Sequence, residues 1–289
     1  MNFLNIISEI EKTDPEVYQK LDSRRDAMRN FFRFSGKIAA AAVPFAVGGM
    51  FKKAYGANTD VITDVFQFAL TLEYLEAEFY NKVLAAGGLS VSLTGSVRAA
   101  IQTISNHENA HVAFLKNTLT SLGQTPGTKP NFDFSAGGSA AGTGPFSGAN
   151  SPFVNYTVML AMSQTFEDTG VRAYKGQAPQ LVHNAALDPA LRIHSVEGRH
   201  AAHIRKVRFE SGAAGAGVKP WITGNQSGIP APFAQYVQAS YNGEENTNQG
   251  GIQIAGIGGQ AISANAATES FDEPLTKAQV LAIVGPFIY

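Results

Sequence analysis

Apolar residues recur at the three- and four-residue spacing of an α-helix in four long stretches of the chain, which predicts four long helices. The first begins at Thr59-Asp60, a pair suited to an N-cap, and ends before Gly87-Gly88. The second extends from about Ser96 to Leu122, and Gly123 is suited to end it. The short link between the two predicts an antiparallel hairpin.

A second hairpin follows. The third helix begins after Ser151-Pro152, a cap residue followed by proline, and covers Val154 to about Leu181. The fourth begins at a similar pair, Asp188-Pro189, and ends near Gly212. Residues 123–150 are rich in Gly, Ser, Thr and Pro, which predicts a loop. This loop is long enough to return along a whole helix, so the hairpins can form a four-helix bundle with a long crossover.

The two ends of the chain differ from this central part. We predict a leader over residues 1–57, the bundle over residues 58–212 and a Gly-rich C-terminal extension over residues 213–289. The extension ends in a short helix, for which Thr276-Lys277-Ala278-Gln279 provides a capping box. We expect the extension to pack on the bundle, so the predicted fold class is all-α with a loop-rich extension.

The leader has the features of an export signal. Paired arginines within Ser23–Arg29 precede a weakly apolar stretch from Ile38 to Phe51, a pattern that resembles a twin-arginine signal. The stretch is shorter than the ~20 residues of a membrane span. Export predicts a periplasmic or extracellular protein. The alternative is an uncleaved amphipathic arm, lying on the body of the protein or on a membrane surface, in a cytoplasmic protein.

Composition excludes several kinds of function. The chain has 289 residues, of which 44% are hydrophobic, so a packed core is expected. A formal net charge of −1 gives no basic surface for a nucleic-acid backbone, and we expect no nucleic-acid partner. Cysteine is absent, which excludes disulfides and thiolate catalysis. Any bound metal must therefore be held by oxygen and nitrogen ligands.

The pattern Glu-x-x-His occurs twice, once in the second helix and once in the fourth. The pairs are Glu108 with His111 and Glu197 with His200. Residues three apart share one face of a helix, so a carboxylate and an imidazole can reach the same metal ion. Each pair is therefore a candidate half of a metal site.

The first and third helices match each other as well. Aligning Glu73 with Glu167 also superposes Tyr80 on Tyr174, seven residues downstream in both helices. The chain is therefore an internal duplication of a two-helix unit. In a bundle this duplication projects four carboxylates and two imidazoles inward, the set that holds two metal ions in dinuclear carboxylate proteins. Such hard ligands suit iron or manganese.

Three segments carry a resemblance to a known family: Leu72–Tyr80, His107–His111 and Glu273–Thr276. By these residues the chain resembles the ferritin-like superfamily and, more narrowly, desiccation-related ferritin-like proteins. The resemblance covers residues 60–289 and implies a centre of two Fe or two Mn ions. The ligands that it implies are Glu73, Glu108, His111, Glu167, Glu197 and His200. The alternative is a bundle that has lost its metal and satisfies these groups internally.

Three further polar residues lie near the predicted ligands: Glu76, His107 and His203. We expect Glu76 and His107 to hydrogen-bond around the ligands rather than bind metal, because the other unit has no equivalent groups. For the same reason we expect His203 either to hydrogen-bond around the ligands or to lie at the surface. Their counterparts in the duplication are Gly170, Val196 and Phe114. Tyr80 and Tyr174 are either core aromatics with bonded hydroxyls or redox-active catalytic groups, and we favour the first.

Two functions fit these expectations. The first is an oxidoreductase, catalase-like or peroxidase-like, whose substrate is a small oxidant such as peroxide or dioxygen. The second is a non-enzymatic protein of desiccation or stress, which sequesters metal or covers partners with its extension. We expect a monomer or homodimer rather than a storage cage, because the long crossover and extension would obstruct shell packing.

Overall fold

Two helical hairpins form the body of the protein. The computed structural model describes residues 59–89, 93–212 and 218–289, so the predicted leader lies outside the described residues. Helix α1 (Thr59–Ala85) packs along α2 (Gly95–Ser121), and α3 (Tyr156–Gln177) packs along α4 (Leu187–Glu210). The predicted all-α class and the four long helices are confirmed.

The predicted N-terminus of the third helix is wrong by a few residues. Helix α3 begins at Tyr156, and its N-cap is Asn155, whose side chain accepts a hydrogen bond from the Val158 N–H at 3.2 Å. Ser151-Pro152 lies in the preceding loop, because Asn155 is a second good cap one turn later. The helix also ends earlier, and residues 178–181 form a 3₁₀ turn that contains Pro179.

The predicted cap of the fourth helix is also wrong. Helix α4 begins at Leu187, and Ala186 occupies the N-cap position without a side-chain hydrogen bond. Asp188 lies in the first turn instead, where its negative charge faces the positive end of the helix dipole. Asp188 still favours the start of the helix, but electrostatically rather than as a cap.

The crossover runs along α1, as its length allows. Gln67 near the start of α1 donates to the Thr125 carbonyl at 2.8 Å, and Tyr74 donates to the Gly127 carbonyl at 3.2 Å. Further along, Phe79 packs against Phe134, with ring centroids 5.4 Å apart. The loop thus ascends α1 from its first turns toward its last, which makes α2 and α3 parallel.

Helix α3 lies at the centre of the molecule. Every residue from Val158 to Tyr174 is buried, because α1, α4 and the C-terminal extension all pack against this helix. A helix covered on all sides has no solvated face on which to place charges. Its polar residues therefore need partners within the protein.

The C-terminal extension contains short elements joined by loops. Its helices are α5 (Ala234–Val237), α6 (Ala264–Thr268) and α7 (Lys277–Val284), and its hairpin pairs β1 (Asn248–Gln249) with β2 (Ile252–Gln253). The predicted capping box of α7 is present, since Thr276 and Gln279 exchange side-chain-to-backbone hydrogen bonds. Beyond α7, Ile288 forms an antiparallel bridge with Phe132 of the crossover.

Arg172 holds the extension against α3. Its guanidinium is buried and donates to the Ser240 carbonyl at 2.5 Å and to the Asn242 carbonyl at 2.9 Å. Its Nε lies 2.7 Å from Glu244 Oε1. Because breaking a buried ion pair leaves an unpaired charge, these contacts strongly favour the docked extension.

A second buried cluster joins α3, α4 and the extension. Arg205 of α4 pairs with both carboxylate oxygens of Asp168 on α3, and the Tyr241 hydroxyl donates to Asp168 Oδ2 at 2.8 Å. Gln164, one turn earlier on α3, donates to the Tyr241 oxygen at 2.9 Å. The extension is thus part of the folded core. Within the residues that the structure describes, no helix combines the length and hydrophobicity needed to cross a membrane.

Candidate metal centre

The six predicted ligands converge in the interior of the bundle. All four glutamates are 0% exposed, whereas His111 is 9% exposed and His200 is 5% exposed. Two sets of four residues could each hold a metal ion, because within each set one ligand atom per residue lies within 4.8 Å of all the others. The sets are Glu73, Glu108, His111 and Glu197, and Glu108, Glu167, Glu197 and His200. Glu108 and Glu197 belong to both sets, so they lie where carboxylates could bridge two ions.

The helical hairpins account for this convergence. Glu108 and His111 lie three residues apart on α2, as do Glu197 and His200 on α4, so each pair projects from one helix face. Helices α1 and α3 each add one carboxylate, from Glu73 and Glu167, which completes the two sets. We call the position beside Glu73 and His111 position 1, and the position beside Glu167 and His200 position 2.

The histidine nitrogens face more carboxylates than one proton can serve. Nδ1 of His111 lies 3.2 Å from Glu73 Oε2, 3.1 Å from Glu108 Oε2 and 3.2 Å from Glu197 Oε1. Nδ1 of His200 lies 2.8 Å from Glu108 Oε1 and 3.2 Å from Glu167 Oε2. One N–H donates well to a single oxygen. A lone pair and several carboxylates arranged around one point are instead the geometry of a metal site.

Several carboxylate oxygens at the centre are unsatisfied. Among the described residues, Glu108 Oε1 and both oxygens of Glu197 are buried and accept no hydrogen bond. The proximity of His200 to Glu108 Oε1 and of His111 to Glu197 Oε1 lacks hydrogen-bond geometry. Leaving a buried charged acceptor unpaired costs at least ~1–3 kcal/mol. Metal ions bound between Glu108 and Glu197 would satisfy these oxygens, so the residues present fit a dinuclear centre.

The crowding of carboxylates shifts the pKa of both histidines upward in the metal-free protein. Burial lowers the pKa of His200, but Glu167 and Glu108 outweigh burial and raise it to about 11. Burial also opposes the protonated form of His111, yet Glu73 and its neighbours hold that pKa far above its usual range. Burial raises the pKa of Glu108 to about 7, despite its histidine partners. Cations therefore stabilise the centre, whether they are protons on imidazoles or bound metal ions.

Each tyrosine donates to the glutamate of the other hairpin. The Tyr80 hydroxyl lies 2.5 Å from Glu167 Oε1, and the Tyr174 hydroxyl lies 2.5 Å from Glu73 Oε1. This reciprocal exchange requires α1 and α3 to run antiparallel. Burial and the adjacent carboxylates raise the pKa of both hydroxyls well above the usual value. Both tyrosines therefore act as hydrogen-bond donors that orient the ligands.

Glu76 fills a space that Gly170 leaves open. A Cβ atom at Gly170 would lie 3.2 Å from Glu76 Oε1 and 3.2 Å from Glu197 Oε2. Glu76 is 4% exposed, and burial together with Glu197 and the other carboxylates raises its pKa well above the usual value. It lies outside both ligand sets. Glu76 is therefore a fifth carboxyl group beside the centre, placed by an asymmetry of the duplication.

His107 and His203 have different surroundings. His107 is exposed, but its ring lies edge to edge with that of His200, with ring centroids 5.2 Å apart and its Nδ1 2.9 Å from His200 Nε2. His203 is exposed on α4, and the described residues give it no hydrogen bond to the six ligands. The structure thus brings His107, but not His203, into contact with the site.

The comparison with known families agrees with this geometry. A family model described as a ferritin-like domain matches residues 62–210, which is more than half of the chain. The chain belongs to the ferritin-like family. This ferritin-like protein matches no curated protein and no solved structure in the comparisons made. The matched region begins in α1 and ends with α4, so it contains all six residues of the two ligand sets.

The buried polar residues that α3 directs at α4 and the extension were not predicted from the sequence. Gln164, Asp168 and Arg172 follow one another at four-residue spacing on α3 and form a polar stripe distinct from Glu167. That spacing was the available signal, because charges on a buried helix require partners. It could not have shown that the partners lie in the extension.

Proposed function

We propose that this ferritin-like protein binds two iron or manganese ions and uses them to remove peroxide. The observation that carries the proposal is the placement of histidine Nδ1 atoms and carboxylate oxygens around two points that share Glu108 and Glu197. Six oxygen and nitrogen donors without sulfur suit these metals. Glu73 and His111 would hold one ion, Glu167 and His200 the other, and the two shared glutamates both.

Two bound ions that each change by one electron would supply the two electrons needed to reduce one peroxide to water, and a second peroxide, oxidised to dioxygen, would return them. No external reductant is required for this cycle. The chain's own residues hold the ligands in place, and the hydroxyls of Tyr80 and Tyr174 fix the rotations of Glu167 and Glu73. Such outer hydrogen bonds orient metal ligands.

Burial favours a small substrate. The four glutamate ligands are 0% exposed, and the histidines are the only ligands with any exposure. A molecule that reaches the ions must therefore pass beside His111 or His200. Peroxide and dioxygen are small enough to do so, whereas a polymer or a large metabolite is not.

Turnover of peroxide by the reconstituted full-length protein tests the proposal. Protein loaded with Mn or Fe is expected to consume hydrogen peroxide. Glu108→Ala is expected to abolish both metal content and turnover, whereas His200→Ala is expected to lose the ion at position 2 and, with it, turnover. The control is His203→Ala, an exposed histidine of the same helix that lies outside both ligand sets. Unchanged turnover in the two ligand variants would contradict the proposal.

A second candidate is a non-enzymatic stress protein that binds metal and uses its extension as a contact surface. Three large apolar residues of the extension favour it, since Trp221 is 48%, Tyr236 51% and Ile252 56% exposed. Single exposed apolar residues are common on proteins. Bound metal without peroxide turnover, together with loss of protection of a dried test enzyme on Trp221→Ser and Ile252→Ser, would favour this candidate.

We also propose that the chain is exported through the arginine pair of its leader. The support is the sequence pattern of Ser23–Arg29 followed by an apolar stretch. Replacing Arg24 and Arg25 by Lys is expected to retain the protein in the cytoplasm of an expressing bacterium with a twin-arginine pathway. Unchanged cell fractionation would contradict export by this route.

A further inference from the structure

The internal duplication gives the two metal positions matching ligands. Position 1 has Glu73 and His111 where position 2 has Glu167 and His200, and both share Glu108 with Glu197. The hydrogen bonds from the tyrosines match as well, at 2.5 Å on each side. By these features alone, the two positions would bind an ion equally.

His107 breaks this equivalence. His107 lies on the side of His200 that is turned away from the carboxylates. Nδ1 of His200 faces the carboxylates, and Nε2 of His200 lies 2.9 Å from His107 Nδ1. The two imidazole planes differ by only 14° and the ring centroids are 5.2 Å apart, so the rings lie nearly in one plane and meet edge to edge through these two nitrogens. The residue equivalent to His107 in the other unit is Val196, whose hydrocarbon side chain can neither donate nor accept a hydrogen bond.

The contact fixes the tautomer that His200 needs in order to bind metal. If Nδ1 of a neutral imidazole provides the lone pair, its proton is on Nε2. In that tautomer the proton of His200 would point at His107 Nδ1, which lies 2.9 Å away and can accept it. A hydrogen bond to the outer nitrogen orients the ring and makes its inner nitrogen a stronger donor, and removing such a bond typically costs ~10–100-fold in metal affinity.

His107 cannot also be a ligand in this arrangement. The nitrogen that it directs at the site is engaged by the outer edge of His200, and the His200 ring lies between His107 and the carboxylates. Its exposure at the surface is consistent with a supporting role. His107 is therefore a positioning residue for one ligand of one position.

We infer that the two positions of the dinuclear centre are inequivalent. Position 2, whose His200 is supported by His107, binds a divalent cation more tightly than position 1 and fills first. The inference rests on the proposed binding of two ions. It adds an order of loading, in which position 1 holds the more weakly bound ion.

Calorimetric titration of the metal-free full-length protein with Mn²⁺ tests the inference. The wild-type protein is expected to bind two ions with dissociation constants that differ by about tenfold or more. His107→Val, which copies the residue found in the other unit, is expected to weaken the tighter site by ~10–100-fold and to leave the weaker site unchanged. His203→Val is the matched control, an exposed histidine of α4 that is expected to leave both constants unchanged.

Single-ligand variants identify which position is tight. His111→Ala is expected to retain one ion with nearly the tighter wild-type constant, whereas His200→Ala is expected to lose that tight binding. Equal constants in the wild-type protein, or equal weakening of both sites by His107→Val, would overturn the inference. Fewer than two bound ions in the wild-type protein would instead overturn the proposed function.

Discussion

At the scale of single residues, the duplication identified the six candidate ligands. Each candidate has a partner at the same place in the other unit, and the structure brings all six into two overlapping sets that could hold metal ions. The reciprocal hydrogen bonds from Tyr80 to Glu167 and from Tyr174 to Glu73 were not predicted. They depend on how far α1 and α3 are offset along their axes. Helical periodicity determines which face of a helix a residue lies on. It does not determine which residue of a neighbouring helix lies at the same level along the bundle axis.

Gly170 provides a residue-scale prediction. Gly170→Ala adds a methyl group 3.2 Å from oxygens of Glu76 and Glu197, and Glu197 is one of the two shared ligands. The added methyl group is expected to displace the Glu197 carboxylate and to weaken the free energy of Mn²⁺ binding by ~1–3 kcal/mol. Mn²⁺ affinity should therefore fall by about tenfold or more. Calorimetric titration measures the change.

Gly198→Ala is the matched control for that substitution. Gly198 is also within a helix and adjoins Glu197 in sequence, but a Cβ there has no neighbour within 4 Å. Its Mn²⁺ affinity is expected to equal that of the wild-type protein. Equal losses of affinity in Gly170→Ala and Gly198→Ala would show that the space at Gly170 is irrelevant to metal binding.

At the scale of elements, periodicity predicted the four long helices but placed two starts wrongly. Ser151, Asn155 and Asp188 are all good cap residues, and a single turn of sequence often offers more than one. The structure chooses Asn155 for α3 and no side-chain cap for α4. Tertiary packing decides between such alternatives, and the hydrophobic pattern does not contain that information.

Gly176 provides an element-scale prediction about docking of the extension on α3. A Cβ at Gly176 would lie 1.9 Å from the Leu275 carbonyl oxygen, and the Leu275 N–H donates to the Arg172 carbonyl at 3.1 Å. Gly176→Ala is therefore expected to push the extension away and to lower the free energy of unfolding by ~1–3 kcal/mol. Denaturant unfolding of the full-length protein measures it.

Gly198→Ala again separates this effect from a general effect of alanine. At an open helical position alanine is expected to raise the free energy of unfolding by ~0.5–1 kcal/mol, because glycine loses more backbone entropy on folding. The two substitutions should therefore have opposite signs. A Gly176→Ala protein as stable as the wild type would contradict close packing of residues 273–276 on α3.

At the scale of the whole molecule, the bundle and the extension share one hydrophobic core and are joined by buried polar contacts. Composition and hydrophobic pattern predicted a helical bundle with a loop-rich extension. They could not predict that Arg172 and Arg205 would be buried and paired, because a periodic pattern does not identify the partner of a charge. Nor does a single sequence identify the metal that the centre selects.

The central claim is that the duplicated unit builds a site for two metal ions. Elemental analysis of the purified native protein, with the metal content expressed per chain, tests it most directly. We predict two ions of iron or manganese per chain, and loss of both ions in Glu108→Ala, because that glutamate belongs to both ligand sets. A folded native protein that contains no iron or manganese, or a Glu108→Ala variant that retains two ions, would contradict the claim.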